Sequence, residues 1–202
     1  DEGRKVFILV RIGEDFTIAG TDPVTPYALV TNSHDGSSGL GVKLVSTRVV
    51  CQNTLNVSLR EKGERIGIRH TASAEANIES AAQALGLVSR QQRQMMERFE
   101  QLAQMNAAQS QIEQVVDLVA PDPMKVEVSL TERQRNRVSR RHESFMTFLQ
   151  HAQELPTIIS AGGLDNRWGL FNATTEWLER GDPTKRTQIL ERRMVRSLAG
   201  AV

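Results

Sequence analysis

Five basic residues and one polar loop are the places where this sequence can do chemistry. Arg65 and Arg69 alternate with Ile66, Ile68 and His70. A strand there sets Arg65, Gly67 and Arg69 on one face and the isoleucines on the other. Together with Lys43, Arg48 and Arg60 they are expected to line a positive groove. Cations held on strand positions grip phosphates without reading base edges, which implies nucleic-acid binding with little sequence preference. The plainer reading is the solvent-facing side of a sheet.

The loop Thr31–Gly39, TNSHDGSSG, is too long and too rich in Asn, Asp, Ser and Gly for a minimal hairpin turn. Glycines at 36, 39 and 41 permit positive φ, so backbone N–H groups around Ser33, Gly36, Ser37 and Ser38 can converge into an anion-binding nest. The Gly-Lys-Ser/Thr ending of a P-loop is missing, and Lys43 falls on the following strand. A turn pinned by Asx hydrogen bonds explains the composition equally.

His34, Asp35, Cys51 and His70 raise metal or Cys–His chemistry. Zinc needs four ligands, commonly in close pairs, and none of these residues is paired. Val49 and Val50 directly before Cys51 argue for a small buried core residue rather than an exposed thiolate. Gln52, Asn53 and Thr54 follow that buried run and close hydrogen bonds between strand and helix, or face a bound chain. No acid–base pair or metal cluster stands out, so the chain is expected to be no enzyme and to need no cofactor or metal.

These groups need positioning elements. Val6–Ile12 is a nearly continuous apolar run, as in a strand buried on both faces. Asp15–Ala19 is expected to pair with it after a turn at Gly13-Glu14. Pro23 and Pro26 interrupt the chain, and Tyr27–Thr31 resumes as a strand. Gly41–Val45 reads as the hairpin partner across the polar loop. Over Ser46–Arg60 two periods compete: Leu55, Val57 and Leu59 alternate, whereas Cys51, Leu55 and Leu59 recur every four residues. The second period, with Ser46 or Thr47 as cap, predicts a helix crossing the sheet.

From Ala74 onward the pattern is helical. Ile78, Ala81, Ala82 and Leu85 predict a short helix ending near Gly86. A long helix is expected over Ser89–Val119, with Met95 or Met96, Phe99, Leu102, Met105, Ile112, Val115 or Val116, and Val119 along its seam and a weakly apolar middle at QMNAAQSQ. Thr131 caps the next helix, which buries Val138, Phe145, Leu149 and Ala152 and stops at Pro156. Gly162-Gly163 forms a loop before Asp165 opens the Trp168–Arg180 helix, and Thr184 opens the last. The expected class is α+β: a small antiparallel sheet with a crossing helix over residues 1–73, then a helical half over 74–202, continuous as one domain.

The net charge of +1 over 202 residues hides two clusters. TERQRNRVSRRH (Thr131–His142) holds five arginines against one glutamate, and KRTQILERRMVR (Lys185–Arg196) five basic residues against one acid. Each fits a polyanion partner or a solvated helix face. Aromatic content of 4% argues against a surface built mainly from stacking platforms. A single cysteine excludes an internal disulfide. No run approaches the ~20 apolar residues of a membrane span, and no signal peptide is visible. Cytoplasm is the expected setting. The opening DEGRKVFILVRI, without an initiator Met, reads as the start of the ordered part of something longer.

Three blocks carry a likeness. TNSHDGSSGLGVKL runs into TRVVCQNTLN, and RIGIRHT and RWGLFNATTEWLER follow. In their order and spacing the chain resembles, across most of its length, the phage/plasmid-like family catalogued as domain of unknown function 932. The resemblance implies a lineage and a shape rather than a reaction. Asn172 and Glu176 match its last block, but no partner base accompanies them.

The functional expectation is a nucleic-acid-binding protein of phage or plasmid type, favouring single-stranded DNA and acting as a homo-oligomer in recombination. It has a fold analogy to single-strand annealing proteins, in which a curved sheet and crossing helix join a helical part. The alternative is a structural self-assembly protein built through the Ser89–Val119 helix.

Overall fold

The apolar run after Lys5 becomes the first strand of the computed structural model, β1 (Lys5–Arg11). The structure describes residues 5–33, 40–48, 54–55, 66–68, 86, 90, 92–126, 129–181, 193–194 and 197–198. Two compact units emerge, Asp1–Phe16 with Pro23–Glu97, and Thr17–Asp22 with Arg98–Val202.

The sheet contains β1, β2 (Phe16–Ile18), β3 (Asp22–Ser33), β4 (Leu40–Arg48), β5 (Thr54–Leu55) and β6 (Ile66–Ile68). Its order is β1-β3-β4-β5, with β2 also on β3 and β6 also on β4. The hairpin expected across the polar loop is present: Val30 pairs with Val42 and Thr31 with Gly41, antiparallel. The strand expected from Ile66 is present as β6, with Gly67 opposite Gly41.

Four expectations about the sheet change. β2 pairs with β3 rather than β1, because Ala19 and Gly20 adopt positive φ (49° and 74°) and reverse the chain at once, Thr21 N–H closing on Ile18 at 3.1 Å. β3 runs straight through Pro23 and Pro26. Ile12 N–H donates to the Pro26 carbonyl at 3.0 Å, so the missing proline N–H faces Ile12 just past the end of β1, where no ladder bond is lost.

The helix expected over Ser46–Arg60 is strand wherever it is described. Ser46–Arg48 completes β4, and β5 pairs Leu55 with Ser46 and Thr54 with Thr47. The β-branched residues Val45, Thr47 and Thr54 favour the pleated surface over the fourfold spacing of Cys51, Leu55 and Leu59. Finally, β1 is not buried on both faces: Ile8, Leu9 and Val10 are 54%, 52% and 43% exposed.

The remainder of the described chain is helical: α1 (92–104), α2 (Gln109–Val119), α3 (Glu132–Ala152), α4 (Pro156–Ser160) and α5 (Arg167–Gly181). The single helix expected over Ser89–Val119 breaks at 105–108. There Asn106 bridges Asn166, Ala107 N–H donates to Asp165 and Arg167 N–H donates to the Met105 carbonyl. Backbone pairing with a segment 60 residues onward replaces helical bonds in QMNAAQSQ, whose weak apolar face offers little packing to oppose it. Met95, Phe99, Leu102, Val115 and Val119 are nonetheless buried within the one chain. The longest helix among the described residues is instead α3, with 21 residues. Thr131 caps it as expected, its hydroxyl accepting from Gln134 N–H while the Gln134 side chain accepts from Thr131 N–H, a capping box. Phe145, Leu149 and Ala152 form its buried side, with Val138 half-buried.

Helix α5 is the centre of the second unit, with α2, α3 and α4 packed around it. Phe99 and Phe171 flank Trp168 at 4.5 and 5.8 Å between ring centroids. Asn166, rather than Asp165, caps α5 by accepting from Gly169 N–H at 2.8 Å. Gly169 is required where it stands: a Cβ there would overlap the Gly163 carbonyl oxygen. Gly162 and Gly163 hold positive φ of 87° and 76°, as a loop turning back onto the helix needs.

Candidate nucleic-acid interface

The basic residues picked out first divide between strands and undescribed positions. Lys43 and Arg48 both lie on β4, in register with Leu29 and Val24 of β3. Ser33 ends β3. Arg60, Arg65, Arg69, Gly36, Ser37 and Ser38 lie outside the described residues, as do His34, Asp35, Cys51, Gln52, Asn53 and His70. The Lys185–Arg196 cluster is outside as well, except Arg193, which is helical and exposed.

The other arginine cluster is fully visible. From Thr131 to Arg137 every residue of the α3 start is exposed. Arg133, Arg137 and Arg140 recur at i, i+4 and i+7, one helical face, and with Glu132 and Asn136 they line a surface depression of about 470 Å³. The row extends about 10 Å along the helix axis, at 1.5 Å per residue. Among the described residues none of the three guanidiniums has an ion-pair or hydrogen-bond partner. Three cations aligned this closely repel one another, and an anion seated among them relieves that repulsion.

The same helix carries a second, differently held cation. Arg141 donates its Nε–H to the Val119 carbonyl at 2.9 Å and lies 4.8 Å above the Trp177 ring. Trp177 is half-buried, 4.7 Å from Phe145, and donates its indole N–H to Ser144 at 3.3 Å. Arg137 precedes Arg141 by one turn, so the open arginine row leads toward a fixed guanidinium stacked on an aromatic ring. His142 closes this part of the helix through Nδ1 and the Ala120 carbonyl at 2.7 Å. Sequence reading assigned the cluster to phosphate or solvent alike. The spacing of four and three inside a capped helix was the available sign of a shared face; the Arg141–Trp177 contact left none, because the partners lie 36 positions apart.

A family model described as Domain of unknown function (DUF932) matches residues 1–199. The chain belongs to this family. No curated protein and no solved structure matches it. In this DUF932 chain the last of the three blocks, Arg167–Arg180, builds the buried centre of the second unit. Trp168 donates to Asp22, Asn172 Nδ2–H to the Trp168 carbonyl, Thr174 to Leu170 and Thr175 to Asn172. Asn172, Thr174 and Thr175 thus return to their own helix's carbonyls, which lets polar residues occupy a buried helix. Glu176 accepts from Thr157 at 2.8 Å and pairs with Arg180. Asn172 Oδ1 is buried without a hydrogen-bond partner among the described residues. Among the described residues no helix is long and apolar enough to cross a membrane, and no group of three or more His, Cys, Asp or Glu is placed to hold a metal ion.

Proposed function

We propose that this chain is a nucleic-acid-binding protein of phage or plasmid recombination, holding the sugar–phosphate backbone and favouring single-stranded DNA. The observation that carries the reading is the α3 row of Arg133, Arg137 and Arg140, three exposed cations lining one depression. Arginine forks match phosphate oxygens in a bidentate way, and Asn136 adds an amide that can donate to phosphate or sugar. Backbone contact of this kind carries no base code. Single strands are favoured on the fold analogy to single-strand annealing proteins.

Anisotropy of a labelled single-stranded oligonucleotide, titrated at several salt concentrations, tests the reading. Binding should weaken steeply with salt, and Arg133→Ala/Arg137→Ala/Arg140→Ala should lower the log–log slope by about 2, at ~0.7 per phosphate contact on a single strand. Competition with a duplex of equal length should require a higher competitor concentration. Absence of binding at low salt removes this reading. Self-assembly without nucleic acid then takes its place, a second reading favoured by one observation, the exposed apolar strand β1.

A further inference from the structure

Strand β1 ends the sheet, and among the described residues no strand pairs with its outer edge. Among the described residues it is also the one run of three successive exposed large apolar side chains: Ile8, Leu9 and Val10 are 54%, 52% and 43% exposed. Neighbours along a strand point to opposite faces, so both faces of β1 are open beside an open edge. Such an edge pairs with another strand unless charge or proline blocks it.

The direction of its backbone groups follows from one hydrogen bond. Ile12 N–H donates to the Pro26 carbonyl of β3. Because antiparallel strands alternate the side to which N–H and C=O point, Val10, Ile8 and Val6 also face β3. Arg11, Leu9, Phe7 and Lys5 therefore turn theirs to the open edge.

We infer that a second copy of this chain occupies that edge, β1 against β1, antiparallel about a two-fold axis at Leu9. A two-fold between identical strands must set one residue opposite itself. With Leu9 at the centre, Leu9 faces Leu9 and Ile8 faces Val10 of the second copy, so the three exposed apolar residues cover one another. Leu9 is also an edge-facing residue, so the central pair exchanges both backbone bonds. Phe7 then stands opposite Arg11, and Lys5 opposite Gly13. No cation faces a cation, and Arg11 already carries Asp15 at 3.1 Å. Centring on Ile8 instead sets Lys5 opposite Arg11 twice, and like charges directly opposite destabilise a ladder. Centring on Phe7 carries the pairing past Lys5, where β1 begins, and leaves Val10 outside the ladder. Charge and apolar pattern select the Leu9 register, and the result is one continuous sheet through two subunits. This goes beyond the nucleic-acid reading and does not depend on it.

Sedimentation velocity of the full chain at tens of micromolar should show a dimer. Leu9→Lys sets two ammonium groups opposite each other at the axis and should shift the population to monomer. Leu9→Pro removes an N–H that β3 does not use, so it should break the dimer while leaving the β1–β3 ladder and the circular-dichroism spectrum unchanged. Should the proline variant unfold, Leu9→Lys, at a half-exposed side chain, still decides. A monomeric wild type, or a dimer that Leu9→Lys leaves intact, overturns the inference.

Discussion

The Trp168 indole N–H donates to the Asp22 carboxylate at 2.7 Å, and both side chains are fully buried although 146 residues separate them. A charge-assisted bond in a dry site is among the stronger single contacts in a fold, and it ties the short Thr17–Asp22 segment to the centre of the helical unit. Ala19 N–H to Glu100 at 3.0 Å and Thr21 to the Ser160 carbonyl at 2.9 Å fasten the same segment on two other helical positions.

Replacing Trp168 by Phe should therefore cost about 2–4 kcal/mol, from the lost donor to a buried carboxylate plus the space left by the smaller ring. Asp22→Asn keeps the shape but loses the charge, and should cost about 1.5–3 kcal/mol. Urea midpoints at unchanged slope measure both. If Asp22→Asn leaves the midpoint where it was, the pair contributes nothing to stability.

Gly169→Ala should be strongly destabilising, by about 3 kcal/mol or more, because overpacking forces backbone rather than a side-chain tip to move. The added Cβ meets the Gly163 carbonyl, which is fixed by a turn of two positive-φ glycines. An exposed helix position such as Gln150 offers the control, where an alanine should be neutral or slightly stabilising. Thermal melts compare the two. Equal melting temperatures would remove the close approach as a constraint on this block.

Thr131→Ala should cost about 1 kcal/mol, the usual value of an N-cap, through loss of the hydroxyl that accepts from Gln134 N–H. Its effect should be local: hydrogen exchange should quicken in the first turn of α3, around Arg133 and Arg135, and not at Phe145 or Leu149, which are buried. The arginine row begins in that turn, so the same variant should weaken oligonucleotide binding slightly by loosening Arg133.

How much of this was legible follows from where each element's bonds go. The β3–β4 hairpin and β6 were readable because alternation and a polar loop are local signals. Helix α3 was readable from Thr131 to Pro156 because its cap, its apolar face and its stop all lie within its own sequence. The break at 105–108 was not, since its cause is backbone pairing with 165–167. Over Ser46–Arg60 a short apolar stretch satisfies both periods, and at the described positions 46–48 and 54–55 pairing of β4 with β5 makes it strand. The exposure of β1 ran against its composition, because an apolar run alone does not distinguish a central strand from an edge left open. At the candidate site, strand spacing ranks Arg65 and Arg69 first; both lie outside the described residues, while Arg133, Arg137 and Arg140 line one depression on α3.

That ranking is itself testable. Cations on rigid strand positions lose little ordering entropy on binding, which favours Arg65 and Arg69, and arginines on an exposed helix face can be merely solvated. Against this, Arg133, Arg137 and Arg140 share one depression without a partner among the described residues, so binding breaks no existing ion pair. We expect Arg133→Ala/Arg137→Ala to reduce single-strand affinity more than Arg65→Ala/Arg69→Ala at the same salt concentration. Each pair removes two cations, so net charge is equal in the two variants and long-range attraction cancels in the comparison. What remains is local phosphate contact, visible as the change in salt slope, about 1.4 for whichever pair makes both contacts. Because these are backbone contacts, the loss should be the same for oligonucleotides of different sequence. A larger loss from the Arg65 and Arg69 pair would move the interface to the sheet and leave α3 a solvated helix. A smaller but sequence-dependent loss from the helix pair would mean that α3 meets base edges, and the backbone-only reading would fall.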